Sequence, residues 1–301
     1  MDHRVVTSLF VKRRPSGCDH GAVTGLRVLL EDRLLLESPR WHDDRLVFSD
    51  WGAGELVAVD LSGHAEVVAQ ISSMPFCIDR LPDGRLLVVS GNQLMRREAD
   101  GEFVVHADLS ELSTKPWNDI VVDGRGNIYV NNIGFDFPAG EFAPGLVALV
   151  RPDGLVRQVA EGLAFPNGMA VSQDNQTLVV AESYAGKLTG YQIQADGSLT
   201  GEGVWATLGE NAAPDGICMD AENAVWYASV PGQHCVRVAQ GGDVLETIEA
   251  DRGCFACMLG GPDGRTLFVV GAKWPDAMEG KGRTGQVLAT EVNVPAAGWP
   301  R

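Results

Sequence analysis

Four side chains with oxygen ligands are spread along this chain: Glu37 in LLESPRW, Asn118 in PWNDI, Asn167 in FPNGMA and Asp215 in APDGIC. Each lies nine to eleven residues before an apolar run that follows a polar turn. Two carboxylates and two amides at one point would be costly to desolvate, and the carboxylates would repel each other. A hard cation relieves both costs, and mixed Asp, Glu and Asn sets are typical of calcium sites. If the fold brings these residues together, they predict one divalent metal site.

The elements that must position these residues form a repeat. A polar turn followed by an apolar strand recurs six times, and the first apolar strand residues are Leu46, Leu86, Ile128, Leu178, Val225 and Leu267. Their intervals of 40 to 50 residues are typical of four-stranded propeller blades. The Asp-Gly turns suit tight hairpins, and no long helical periodicity is present. We therefore predict an all-β, six-bladed β-propeller with antiparallel blades, in preference to a β-sandwich or β-helix.

In such a ring the four oxygen-bearing residues occupy equivalent positions on innermost strands and face the central channel. Phe76 and Cys257 complete the set of six. Calcium is the favoured ion, with magnesium, manganese or zinc as alternatives, because there is no histidine or thiolate cluster. Taken singly, each donor has a structural alternative: Asn167 and Asp215 as turn residues, Asn118 as a core amide and Glu37 as a strand-end charge.

Closure of the ring requires strands from both ends of the chain, and the runs 25–36 and 286–292 are the candidates. We expect residues 1–20 to form an N-terminal tail and residues 21–301 to form a single propeller domain. Six cysteines are too few for a disulfide framework in 301 residues, and Cys254 and Cys257 are interpreted as packed thiols.

The charge balance excludes several function classes. With 24 Lys and Arg against 40 Asp and Glu, the net charge is −16, which repels nucleic acids and anionic lipid surfaces. No apolar run is long enough to span a membrane, and the first twenty residues lack the apolar stretch of a signal peptide. We therefore expect a cytoplasmic protein that acts on a small molecule.

Taken together, the motifs around Glu37, Asn118 with Asp119, Asn167 and Asp215 resemble the regucalcin, gluconolactonase and luciferin-regenerating-enzyme family, over about residues 34–287. The resemblance implies a six-bladed propeller with an axial divalent metal that hydrolyses lactones. It implies that Glu37, Asn167 and Asp215 bind the metal and that Asn118 is a ligand or a contact to substrate. It further implies Asp215 as general base, with Asp119 as a second polar residue near the substrate. Because metal ligation lowers the basicity of Asp215, Asp119 is a second catalytic candidate to accept the proton from water.

One departure concerns the substrate. Some sugar lactonases of that family carry an arginine where this chain has Pro116, so gluconolactone itself is disfavoured and a less polar or bulkier lactone is favoured. Candidate substrate contacts are Asn118, Trp117, Phe76, Phe135 and Glu182. The segment 133–144, an insertion between the third and fourth repeats, is expected to form a flap over the channel.

Two alternatives to a lactonase remain open. The first is a non-catalytic propeller that binds a small molecule or a protein and holds a structural metal. The second is a hydrolase of another ester or of a phosphotriester at the same metal. Serine-hydrolase and nucleotide-binding motifs (G-x-S-x-G, G-x-x-x-x-G-K-[ST] and a strand-linked G-x-G-x-x-G) are absent from the sequence.

Overall fold

The computed structural model describes residues 25–274, 276, 280 and 282–300, so the predicted tail at residues 1–20 lies outside the described residues. Twenty-four strands form six four-stranded antiparallel sheets, which confirms the predicted six-bladed propeller. Five blades use four consecutive strands, innermost first, whereas the sixth borrows its outermost strand from the start of the fold.

The first three blades run in chain order. The first blade comprises β2 (Leu36–His42), β3 (Arg45–Asp50), β4 (Glu55–Asp60) and β5 (Ala65–Gln70). The second comprises β6 (Phe76–Arg80), β7 (Leu86–Ser90), β8 (Gln93–Arg97) and β9 (Phe103–Asp108). The third comprises β10 (Trp117–Val122), β11 (Ile128–Asn132), β12 (Gly145–Val150) and β13 (Val156–Leu163).

The remaining blades complete the circle. The fourth comprises β14 (Pro166–Val171), β15 (Thr177–Glu182), β16 (Lys187–Ile193) and β17 (Leu199–Thr207). The fifth comprises β18 (Pro214–Met219), β19 (Val225–Ser229), β20 (His234–Val238) and β21 (Val244–Glu249). The sixth comprises β22 (Gly253–Gly260), β23 (Thr266–Ala272), β24 (Gly285–Glu291) and, at its outer edge, β1 (Arg27–Arg33).

The ring closes as the sequence predicts. Strand β1 pairs antiparallel with β24, with Arg27 opposite Ala289, so both ends of the described chain share one blade. The innermost strands contact each other in the circular order β2, β6, β10, β14, β18 and β22, and β22 returns to β2. The first residues of β2, β10, β14 and β18 therefore meet at one end of the central channel.

The core lies between neighbouring blades. The second strand of each blade is buried along almost its whole length, because the two neighbouring blades cover the two faces of the sheet. The outermost strands β5 and β21 consist mainly of exposed and half-buried residues, as expected at the rim. No helix in the described part of the chain is long and apolar enough to cross a membrane.

Candidate functional site

The four predicted oxygen donors come together. Glu37, Asn118, Asn167 and Asp215 each lie second in an innermost strand, and all four line one cavity. The Asn118 Nδ2 donates to the Asn167 Oδ1 over 3.1 Å. Together these residues form what we call the donor floor, contributed by the first, third, fourth and fifth blades.

Asp215 is the least satisfied member of the donor floor. Its Oδ1 is fully enclosed and accepts no hydrogen bond from any described residue. Desolvation by burial, with the nearby charges of Glu37 and Asp119, raises its pKa well above the ordinary value. Since a buried carboxylate oxygen without a partner is costly, this atom requires a proton or a cation.

Glu37 is in a similar state. Burial, followed by the charge of Asp119, raises the pKa of Glu37 from 4.5 to about 8. The Ser38 backbone N–H donates to its Oε2 over 3.2 Å and offsets part of that rise. A cation between Glu37 and Asp215 would reverse both shifts, because an adjacent positive charge favours the ionised forms.

The buried, positively charged side chain of Arg40 lies behind the donor floor. The Arg40 guanidinium is 5% exposed and donates to the carbonyl of Ile120 over 2.7 Å. It lies 3.4 Å from Asp119 and 3.6 Å from Asp79, both carboxylates on innermost strands. Arg40 therefore compensates a layer of negative charge next to Glu37.

Asp119 belongs to this supporting layer rather than to the cavity. Its Oδ1 accepts from Arg40 and its Oδ2 accepts from the Met169 backbone N–H over 3.0 Å. It does not line the main cavity, but it lines a small space that Glu37, Asn118 and Asn167 also line, next to Cys257. Its hydrogen bonds indicate that it orients the strands bearing Asn118 and Asn167, and its catalytic role stays a prediction.

Two predicted substrate contacts, Trp117 and Phe76, point into the core and not into the cavity. Trp117 is 1% exposed and packs between the second and third blades with Cys77 and Leu87, while Phe76 is fully buried between the first and second. Neither ring lines the cavity. Trp117 directly precedes Asn118, and because successive strand residues point to opposite sides, a donor facing the channel places its neighbour in the core.

Phe135 was also predicted to contact the substrate, but it does not lie at the cavity surface. At 4% exposure it lies behind the cavity wall and does not line the cavity. It contacts four other rings in what we call the aromatic cluster: Phe135, Phe137, Phe142, Phe165 and Tyr184, with neighbouring centroids 4.8 to 6.4 Å apart. The 133–144 segment does reach the cavity, through Ile133, Phe137 and Pro138.

Glu182 acts on the site only indirectly. It is 2% exposed, and its carboxylate accepts from the Ala164 backbone N–H over 2.7 Å and pairs with the Lys187 Nζ at 3.0 Å. Ala164 precedes Phe165, whose φ of +60° is strained for a bulky residue. Glu182 therefore holds the turn that presents Phe165 to the cavity, and it is not among the residues that line the cavity.

The donor set decides which kind of ion the floor can take. Within the described ranges, no three His, Cys, Asp or Glu side chains are arranged to hold a metal. Any cation here must therefore use the Asn118 and Asn167 carbonyl oxygens beside the two carboxylates. Such a set is suited to calcium and poorly suited to zinc.

Residues 35–273 match the family described as SMP-30/Gluconolactonase/LRE-like region. The chain belongs to this family. Membership agrees with the resemblance in the sequence and with the six-bladed fold, and it supports hydrolase activity in general terms.

Individual relatives are distant. The chain is 24% identical to the 6-deoxy-6-sulfogluconolactonase of Pseudomonas putida over 91% of its own length and 96% of that protein. It is 26% identical to the diisopropyl-fluorophosphatase of Loligo vulgaris, over 60% and 65% of the two chains. The crystal structure of regucalcin from Agrobacterium tumefaciens, described as a calcium-binding protein, superposes with a TM-score of 0.77 at 22% identity, covering 92% and 96% of the two chains.

Several supporting residues were missed by the sequence reasoning. Asn131 is fully buried; its Oδ1 accepts from the Asp119 backbone N–H and its Nδ2 donates to the Asn167 backbone carbonyl. Ser183 accepts from the Asn167 Nδ2 over 3.3 Å and donates to the Pro214 carbonyl over 2.7 Å. Polar residues in otherwise apolar strands, as in IYVNN and LLESPRW, were the available signal.

Proposed function

We propose that this protein is a metal-dependent hydrolase that opens a small lactone, with one divalent cation on the propeller axis. The observation that carries the proposal is the enclosed Asp215 Oδ1, without a hydrogen-bond partner among the described residues, on a floor shared with Glu37, Asn118 and Asn167. A buried oxygen in this state next to a second carboxyl and two amide oxygens favours a bound cation.

The residues present fit such an ion. Glu37, Asn118, Asn167 and Asp215 would hold it, and calcium is favoured by their hard oxygen ligands. The calcium binding attributed to the Agrobacterium regucalcin gives further support. A cation bound here supplies Lewis-acid polarisation of the lactone carbonyl.

The chain's own residues supply the remaining chemistry. The Asp215 carboxylate accepts a proton from the water that attacks the acyl carbon. The new carbon–oxygen bond forms, the bond from the acyl carbon to the ring oxygen breaks, and the ring oxygen takes the proton back from the Asp215 carboxyl to become the hydroxyl group of the product. The product is a hydroxy acid that releases one proton at neutral pH.

A pH-indicator assay over a panel of lactones tests the proposal. We expect acid release that a chelator abolishes and added calcium restores, and we expect Asp215→Asn to lower kcat by about 100-fold to 10,000-fold. Asn167→Ala should raise the calcium concentration needed for half-maximal rate. Asp153→Asn is the matched control, because Asp153 is an exposed turn residue paired with Arg151 and its rate should equal wild type.

Full turnover in Asp215→Asn, or turnover that survives complete chelation, would overturn the proposal. A propeller that only binds a ligand through a structural metal would release no acid from any lactone. These outcomes separate the enzyme from the binding protein.

A second candidate is hydrolysis of a phosphotriester or related phosphoryl ester at the same site. It is favoured by the match to the diisopropyl-fluorophosphatase of Loligo vulgaris. Matched lactone and phosphotriester substrates, assayed side by side at equal concentrations, rank the two by kcat/KM.

A further inference from the structure

The cavity above the donor floor has a distinct division of polarity. Its volume is about 590 Å³, within the range of pockets that enclose drug-sized ligands. The cavity's carboxylate and amide groups are concentrated at the floor and on the 207–213 rim, whereas much of the remaining lining is aliphatic or aromatic. This arrangement fits a ligand with one polar reacting group and one bulky apolar part.

The aromatic cluster forms one side of that cavity. Phe137, Phe165 and Tyr184 line it, and the Phe165 and Tyr184 rings lie 4.8 Å apart, tilted by 32°. Phe135 packs behind them at centroid distances of 5.6 to 6.4 Å. A contiguous surface of ring faces and edges in these geometries favours another aromatic ring, through offset or edge-to-face contacts.

Hydrogen bonds hold the turn that carries Phe165 in place. Phe165 keeps a φ of +60°, and its backbone carbonyl accepts from the Ser183 N–H over 3.0 Å. The hydrogen bond that the Ala164 N–H donates to the Glu182 carboxylate fixes the same turn. Strain that the surrounding structure holds in place is typical of ligand-binding positions.

Charge and hydrogen bonding argue against sugar-like ligands. No Lys, Arg or His is among the described residues that line the cavity, so an anionic lactone would have no protein counter-charge there. Ser183 already donates to Pro214 and accepts from Asn167. Several hydroxyl groups against the aromatic cluster would lose their hydrogen bonds to water without replacement.

We propose that the substrate is a neutral lactone carrying an aryl or similarly bulky apolar substituent, which lies against Phe137, Phe165 and Tyr184 while the lactone carbonyl lies over the donor floor. This specificity rests on the proposed hydrolase function. Sugar lactones and anionic lactones are expected to be poor substrates.

Three δ-lactones that share one ring test the proposal: unsubstituted δ-valerolactone, its derivative with a phenyl group on the carbon bonded to the ring oxygen, and D-glucono-δ-lactone. We expect kcat/KM for the phenyl lactone to exceed that for the other two by at least about tenfold. Phe137→Ala and Tyr184→Ala should each lower kcat/KM for the phenyl lactone about tenfold more than they lower kcat/KM for δ-valerolactone. Leu245→Ala is the control, because Leu245 is exposed on the outermost strand of the fifth blade.

A binding measurement separates this proposal from the hydrolase proposal. The phenyl-substituted lactam of the same ring does not hydrolyse under these conditions, and calorimetry should show that it binds the wild type and is bound at least about tenfold more weakly by both variants. If no lactone is opened but the lactam behaves in this way, the hydrolase proposal fails and the aryl-ligand proposal stands. Equal or better turnover of D-glucono-δ-lactone, or a phenyl preference that survives in both variants, overturns the aryl proposal.

Discussion

Glu37 and Asp215 share a donor floor on which each carboxylate is costly without a counter-charge. Burial raises the pKa of both, to about 8 for Glu37, whereas Arg40 compensates the neighbouring Asp119 and Asp79. The donor floor therefore carries two carboxyl groups, and no described Lys, Arg or His side chain lines the cavity to balance their charge. A cation completes this balance, and the two following predictions measure it.

Stability of the chelated protein should fall as pH rises. Because the pKa of Glu37 is raised from 4.5 to about 8 in the fold, the folded state keeps a proton that the unfolded state loses across that window. The stabilisation is thus present below about pH 4.5 and is lost as pH rises toward 8. Thermal midpoints of chelated wild type should drop from pH 5 to pH 8, and the drop should be smaller in Glu37→Gln. A pH dependence unchanged by that substitution would contradict the shift.

Arg40→Met should be strongly destabilising. It leaves the buried Asp79 and the partly buried Asp119 without their cation, and breaking a buried pair typically costs about 3–5 kcal/mol in the free energy of unfolding. Burial raises the pKa of Asp79 to about 6 even with Arg40 present, so the loss should be smaller at pH 5 than at pH 8. Denaturant unfolding checks this, and the double variant Arg40→Met/Asp79→Asn should recover part of the loss. A double variant no more stable than Arg40→Met would argue against a charge-balancing role.

At the scale of elements, the connections between strands supply much of the wall of the cavity. Innermost strands place the donor floor through their regular alternation, whereas the part of the wall formed by Phe137, Phe165 and Tyr184 comes from the connections after β11, β13 and β15. The turn before β14 is held by Glu182 at the end of β15. The end of β15 therefore helps to hold Phe165 of the aromatic cluster in place.

Glu182→Leu should therefore affect both stability and ligand binding. The substitution removes the acceptor for the Ala164 N–H and the Thr189 hydroxyl and breaks the ion pair with Lys187; we expect a loss of about 1–3 kcal/mol in unfolding free energy. Affinity for the phenyl lactam should fall as Phe165 shifts. Lys187→Met is the matched control, since it removes the ion pair and keeps the Ala164 bond. Equal lactam affinity in wild type and Glu182→Leu would show that the hydrogen bond from Ala164 to Glu182 does not position Phe165.

At the scale of the whole molecule, one axial ion would link four blades that are far apart in the chain. The donors lie in β2, β10, β14 and β18, so the ion would join blades one, three, four and five. A ligand that binds only the folded state stabilises it by about 2.7 kcal/mol at a concentration of one hundred times its Kd. The ring is already closed by β1 and β24, so the ion adds to a complete fold.

Calcium should accordingly raise the thermal midpoint of the chelated protein in a concentration-dependent way. Scanning calorimetry or dye-based melting checks this, and Asn167→Ala should move the response to higher calcium concentrations without changing the fold seen by circular dichroism. An identical calcium response in wild type, Asn167→Ala and Asp215→Asn would place the ion elsewhere.

The sequence alone determined the number of blades, the closing strands and the four members of the donor floor. It did so because the repeat of 40 to 50 residues fixes the phase of every innermost strand, and phase decides which residues meet on the axis. Only the tertiary structure decided what surrounds that floor. Trp117 lies between blades, since the residue next to an axial one points the opposite way, and Phe76, which the repeat places at an axial position, is instead buried between the first and second blades. Arg40, Phe165 and Glu182 acquire their roles from contacts across turns and blades, which no spacing along the chain encodes.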